Sequence, residues 1–141
     1  MKIITDIKVL RQKSESVSNF WYESFNLVHK LEQSLDIKKG IGLSAIQIGI
    51  KKRVGIIRVD KVKLNLINPE IIERSCPFRY EKEGCLSLPS IRIDTRRYKE
   101  VTILNNNKKE KYSGIVAVAI QHEIDHMNGR TILDNKWRKR R

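Results

Sequence analysis

Apolar side chains change their spacing several times along the chain, and each change marks an element. Residues 1–17 mix charged and aliphatic side chains without a repeat and are expected to be mostly extended or irregular. Over 20–38 a helical period sets in. Trp21, Phe25, Val28, Leu31 and Leu35 recur at three- and four-residue steps behind Ser18 or Asn19 as a cap, predicting an amphipathic helix packed on the body. His29 lies off that stripe and is expected on the surface. The pattern stops at Gly40-Ile41-Gly42, where two glycines suit a backbone that approaches something closely or takes positive φ. Residues 53–60 and 64–68 read as strands, Pro69 confines the second to an edge or an end, and 71–74 offer another short strand. Residues 75–90 read as a loop. Residues 98–104 and 111–112 bracket the polar run Asn105-Asn106-Asn107-Lys108-Lys109, as a β-hairpin would. Ser113-Gly114 then cap a helix over 115–126, and Gly129 stands where a left-handed residue would end it. The segregation of strands from helices predicts an α+β fold, antiparallel or mixed sheets packed around this last helix, in one domain spanning 1–141.

Length and charge narrow the picture. A chain of 141 residues buries roughly two-thirds of its unfolded surface and folds without disulfides. No apolar run approaches the ~20 residues of a membrane span, and Met1-Lys2-Ile3-Ile4-Thr5-Asp6 lacks the apolar core of a secretory signal, so a cytoplasmic location is expected. In that setting the two cysteines, Cys76 and Cys85, are thiols, with Cys76 read as structural. The net charge of +13 attracts polyanions and concentrates in the closing Lys136-Trp137-Arg138-Lys139-Arg140-Arg141. No basic motif interleaved with aromatics is visible along the chain. Weak electrostatic association with RNA is expected, and sequence-specific recognition is not.

Gln121-His122-Glu123-Ile124-Asp125-His126 carries the chemistry. On a helix His122 and His126 lie one turn apart on one face with Glu123 beside them, the arrangement two imidazoles need to hold one metal ion. Two unrelated surface histidines are the plain alternative, yet the chain has only three histidines and two of them fall at this spacing. The third ligand discriminates among metal hydrolases. Ile132 stands where the metzincin pattern requires histidine, and none of the nine residues after it is the distal Glu of a thermolysin-like site. The ligand therefore comes from upstream, and Cys85 is the strongest candidate because a thiolate suits zinc or ferrous iron.

Three segments together resemble the peptide deformylase family: Gly40-Ile41-Gly42-Leu43-Ser44-Ala45-Ile46-Gln47, Glu83-Gly84-Cys85-Leu86-Ser87, and Gln121 to His126. The likeness runs through Leu64 to Pro69 and faintly to Leu10-Arg11. Ser44, Ile46 and Met127 depart from the family pattern without removing a reacting group. The resemblance implies a peptide-deformylase-like fold and one divalent ion on Cys85, His122 and His126, with Fe(II) favoured and zinc, nickel or cobalt able to replace it. It implies that Glu123 moves the proton while the Gln47 amide and the Leu86 N–H stabilise the oxyanion. By the same resemblance Ile41, Gly42 and Gly84 are expected to contact the substrate, an N-formylmethionyl nascent peptide that would lose formate. Ile115, Val118 and Ala119, one and two turns before His122, are candidate walls of the methionine pocket, with core packing as their other reading. Glu83 either orients an arginine such as Arg97 or is a solvated carboxylate. Longer members carry a C-terminal helix that docks on the ribosome. The twelve residues after Gly129 do not supply it, and the chain resembles short forms encoded by phages or found in organellar lineages. The rival readings are a metallopeptidase and a catalytically silent ribosome-associated homologue.

Overall fold

The computed structural model describes residues 2–18, 20–36 and 40–139, apart from the side chains of Phe20 and Trp21. The expected cap at Asn19, the helix end at Lys38, the packing of Trp21 and the final Arg140 and Arg141 lie outside the described residues.

Among the described residues two three-stranded antiparallel sheets carry the architecture. In the first, β1 (Gly42–Ser44), β2 (Val54–Val59) and β3 (Val62–Ile67) lie in sequence order. In the second, β4 (Glu70–Cys85), β5 (Leu88–Asn105) and β6 (Lys108–Ser113) do the same. Asn106 and Asn107, at φ 54° and 61°, make the two-residue turn between β5 and β6, a conformation asparagine tolerates better than most residues. Successive residues of β2 point to opposite faces. Val54 and Ile56 join Leu27 and Leu31 of helix α2 (Phe20–Ser34), and Leu35 just past its end, in one core cluster. Ile57 joins Ile120, Ile124 and Met127 of helix α3 (Gly114–Met127) in another. Both faces of this sheet are covered, which explains why β2 reads as a continuous apolar run. Val101 and Ile103 of β5 close the other side of α3. Gly129, at φ 74°, ends α3, and a Cβ there would lie 2.5 Å from the carbonyl oxygen of Arg11.

Three expectations need correction. The segment 75–90 is not a loop, because β4 and β5 form a long ribbon with Cys85 opposite Leu88 at its tip. Pro77 and Gly84 look like breakers, but β4 is an edge strand, where proline is tolerated, and register shifts at Tyr80/Glu83 and Glu83/Cys85 interrupt the alternation. Cys76 is exposed on that ribbon and not part of the core. Phe25 is 75% exposed, so the packed stripe of α2 is Leu27-Leu31-Leu35 and not the one drawn through Phe25. Residues 7–10 form a one-turn helix, α1 (Ile7–Leu10), where Asp6 Oδ1 accepts from the Lys8 N–H at 2.9 Å. Ser113 occupies the cap position of α3 without a side-chain cap bond. Among the described residues no helix is long and apolar enough to cross a membrane.

Candidate metal centre

Three distant segments meet where the ribbon tip crosses α3. The helical period places His122 and His126 on the face turned to the ribbon, and the tip brings Cys85 against them. Cys85 Sγ lies 3.4 Å from His126 Nε2, which lies 3.2 Å from His122 Nε2, and the three ligand atoms are all within 4.8 Å of one another. A carboxylate oxygen of Glu83 sits 2.7 Å from His122 Nδ1, so that nitrogen carries the proton and Nε2 keeps its lone pair for the cluster. Ring nitrogens and a thiol converging on one point suit a divalent ion, and a thiolate with two imidazoles is a donor set for zinc or ferrous iron.

Around the ligands lies a buried charge network. Glu83 accepts from Arg97 Nε at 2.8 Å, Arg97 Nη2 at 2.6 Å and the Thr95 hydroxyl at 2.7 Å. Arg97 Nη1 reaches Asp125 Oδ2 at 2.7 Å, which also accepts from Asn135 Nδ2 at 2.6 Å. Burial pushes the Glu83 carboxyl up, but its bonds to Arg97 and His122 outweigh that and hold it below the ordinary carboxylate range. Burial keeps His126 neutral, aided by His122 and Arg97. It also lowers His122, but Glu123, Cys85 and Glu83 outweigh it and leave that ring more basic than usual.

Glu123, 2% exposed, faces the same space from α3. Burial lifts its pKa from the ordinary 4.5 to about 7. The Ser44 hydroxyl donates to its carboxylate at 3.2 Å and lies 2.9 Å from its backbone carbonyl. A Cβ on Gly42 would lie 2.7 Å from Glu123 Oε2 and 2.9 Å from the Ile56 carbonyl, so glycine is required for β1 to come this close to the carboxylate. Gln47, 1% exposed, accepts from the Ser44 N–H at 3.0 Å and donates to the Ser87 hydroxyl at 3.1 Å, with Cys85 Sγ at 3.8 Å.

A cavity of about 720 Å³ opens onto this cluster. Ile41, Gly42, Gln47, Gly84, Cys85 and Leu86 line it from one side, and Val118, Ala119, His122 and Glu123 from α3. His126 is 1% exposed behind them. Ile115 does not line it. It is 38% exposed and borders a neighbouring apolar groove with Phe78 and Tyr80, because α3 turns it one turn too far from the ligands. Thr95 and Asn135 carried no sequence signal, since each acts on a partner that only folding brings near, and Ser44 and Asp125 were legible only as members of the glycine-rich and helix segments. Ser87 was legible only as part of the cysteine segment.

The chain matches the family model for polypeptide deformylase over residues 1–141. It is 36% identical over 131 residues to a peptide deformylase of Heliobacterium modesticaldum, covering 89% of this chain and 86% of that one. A peptide deformylase of Acidobacterium capsulatum is 42% identical over 131 residues, 86% of this chain and 76% of the other. The crystal structure of peptide deformylase from Thermotoga maritima superposes with a TM-score of 0.86 at 30% identity, covering 98% of this chain and 97% of that one. A peptide deformylase from Synechococcus elongatus in complex with actinonin gives a TM-score of 0.85 at 32% identity over 99% of this chain and 79% of its own. Two antiparallel sheets and few helices are thus a peptide-deformylase-like fold, and the chain belongs to the peptide deformylase family of hydrolases.

Proposed function

We propose that the chain removes the N-formyl group from the N-terminal formylmethionine of newly made peptides and releases formate. The observation that carries this reading is the convergence of Cys85, His122 and His126 with the Glu123 carboxyl in one cavity bordered by strand β1. Cys85, His122 and His126 would hold one divalent ion, with Fe(II) favoured and zinc, nickel or cobalt able to serve. When bound, such an ion supplies a Lewis acid and makes hydroxide available near neutral pH.

Glu123 takes the proton of the attacking water and delivers it to the amine nitrogen as the C–N bond breaks. A carboxyl whose pKa lies at about 7 can do both near neutrality. The Gln47 side-chain N–H and the Leu86 backbone N–H donate to the oxygen of the tetrahedral intermediate. Ser44 and Ser87 fix the Gln47 amide, so its direction is set before substrate arrives. The substrate backbone adds as a strand beside β1, the edge of its sheet. The Ile41 carbonyl accepts from the Arg58 N–H at 2.7 Å, and the alternation of an antiparallel ladder then turns the Gly42 peptide groups to the open edge. Val118 and Ala119 wall the space for the methionine side chain, and Gly84 borders the entering chain. The proposed setting is the cytoplasm.

A formate-release assay on a formyl-Met tripeptide tests the reading. Wild type is expected to be active and Glu123→Ala to lose at least about 10²-fold in kcat/KM. Equal activity of the two proteins, or cleavage of internal peptide bonds instead, would sink it.

A further inference from the structure

We propose that the outward face of the β4–β5 ribbon, together with the C-terminal segment beside it, binds the phosphate backbone of RNA. Along the sequence the basic residues look scattered, but folding stacks two of them with two rings into a row. Arg74 lies over the Tyr98 ring at 5.2 Å, Arg96 over the same ring at 5.9 Å, and Arg96 over the Trp137 ring at 5.9 Å. The register explains the assembly. Arg79 pairs with Arg96 and Pro77 with Tyr98 across the ribbon, while Lys136 bridges to Thr95 and the Trp137 N–H donates to the Asp94 carbonyl at 2.8 Å. The exposed Lys136, Arg138 and Lys139 therefore continue the row where β6 has left the side of β5.

An arginine whose flat face rests on a ring has its geometry set in advance, and its N–H edge stays available for a phosphate. Among the described residues neither Arg74 nor Arg96 forms an ion pair. The nearby carboxylates are engaged: Asp94 holds Arg79 and the Lys82 N–H, and Glu100 holds Lys111 and the Ser75 hydroxyl. The rings of Tyr98 and Trp137 are half-buried under the guanidinium groups, which suits a polyanion lying across the face and not a wedge into lipid. Arg97, the next residue along β5, points the other way into the metal centre, so an RNA on this face leaves the cavity open. The choice of RNA over DNA rests on the proposed substrate, since RNA is the polyanion that accompanies peptide synthesis.

Binding of a labelled single-stranded RNA of about twelve nucleotides to the full chain is followed by anisotropy through a salt series. Each lost phosphate contact lowers the slope of log K against log salt by about 0.7. Arg74→Gln/Arg96→Gln should therefore weaken binding and lower the slope by about 1.4. Arg138→Gln/Lys139→Gln, in a segment outside the core, should act alike without touching the ribbon's fold. Lys30→Gln/Lys63→Gln removes the same charge from other surfaces and should change the slope by less than half as much. Equal slopes for all three variants would reduce the effect to net charge and overturn the proposal. So would equal binding of duplex DNA or of anionic-lipid vesicles. Formate release is read separately on the same proteins, so loss of RNA binding and loss of the hydrolase reading are distinct results.

Discussion

The buried carboxyl of Glu123 sets stability against activity, and the size of that conflict can be worked out. Its pKa stands at about 7 in the folded chain against an ordinary 4.5, because burial disfavours the charged form. A carboxyl with a raised folded pKa binds more protons folded than unfolded between those two values. Stability is therefore highest below about pH 4.5 and falls as pH rises towards 7. At ~1.4 kcal/mol per pH unit, ionised Glu123 costs the metal-free protein about 3 kcal/mol at pH 8 and under about 1 kcal/mol at pH 5. Glu123→Gln removes that cost, and its amide oxygen can still accept from the Ser44 hydroxyl. His122 adds to the trend. Its raised basicity leans on the ionised carboxylate, so the variant gives up that support only where Glu123 is charged, towards the alkaline side. In chelator-treated protein, urea unfolding should show the variant more stable by about 3 kcal/mol at pH 8, a midpoint gain of about 1.5 M at a slope of about 2 kcal/mol/M. Most of that gain should vanish at pH 5, while formate release is lost at both. The same gain at both pH values, or a less stable variant at pH 8, would refute desolvation as the cause.

Gly42→Ala puts a methyl 2.7 Å from Glu123 Oε2 and 2.9 Å from a strand carbonyl, so a thermal melt should show a loss of about 1–3 kcal/mol, and kcat/KM should fall with it; an unaltered enzyme would show that β1 has room to give. Arg97→Leu strands the buried Glu83 charge and should cost about 3–5 kcal/mol in denaturant unfolding near pH 7. Because Glu83 is held below its ordinary pKa, its stabilising contribution is present above about pH 4.5 and is lost as pH falls through the folded value; the variant should lack that acid-side decline. Ala119→Phe narrows the cavity beside the ligands and should raise KM for formyl-Met peptides far more than for substrates with a smaller first side chain, an equal rise for both counting against the pocket assignment.

What the sequence made legible was set by local geometry. His122 and His126 could be placed together because a helix has one period and their spacing fits it. The strand over 54–59 was legible because burial on both faces leaves a nearly continuous apolar run, and that over 62–67 because Leu64 and Leu66 alternate with Lys63 and Asn65. The β4–β5 ribbon was not. Its residues from Glu73 to Pro77 are all exposed, Cys76 and Lys82 adopt positive φ, and its pairing partner lies on a later strand. Phe25 misled because a helical stripe fixes which residues share a face but not which of two adjacent faces the sheet covers.

Glu83 holding Arg97 was one of two readings the sequence offered, but the rest of the hydrogen-bonding shell around the ligands is illegible for a different reason: each member answers a group that only folding brings near. Ser44 reaches a carboxylate 79 residues away, and Asn135 steadies Asp125, which steadies Arg97, which holds Glu83 against His122. Arg97 is one buried cation facing two carboxylates, and Glu123 brings a third carboxyl to the same centre. Without an ion such a surplus is met by protons on Glu123 and His122, and a divalent cation among the ligands would take their place. The network therefore suits an ion in two ways, by aiming the lone pair of His122 at the ligand cluster and by holding carboxylates that a cation can neutralise in place of protons.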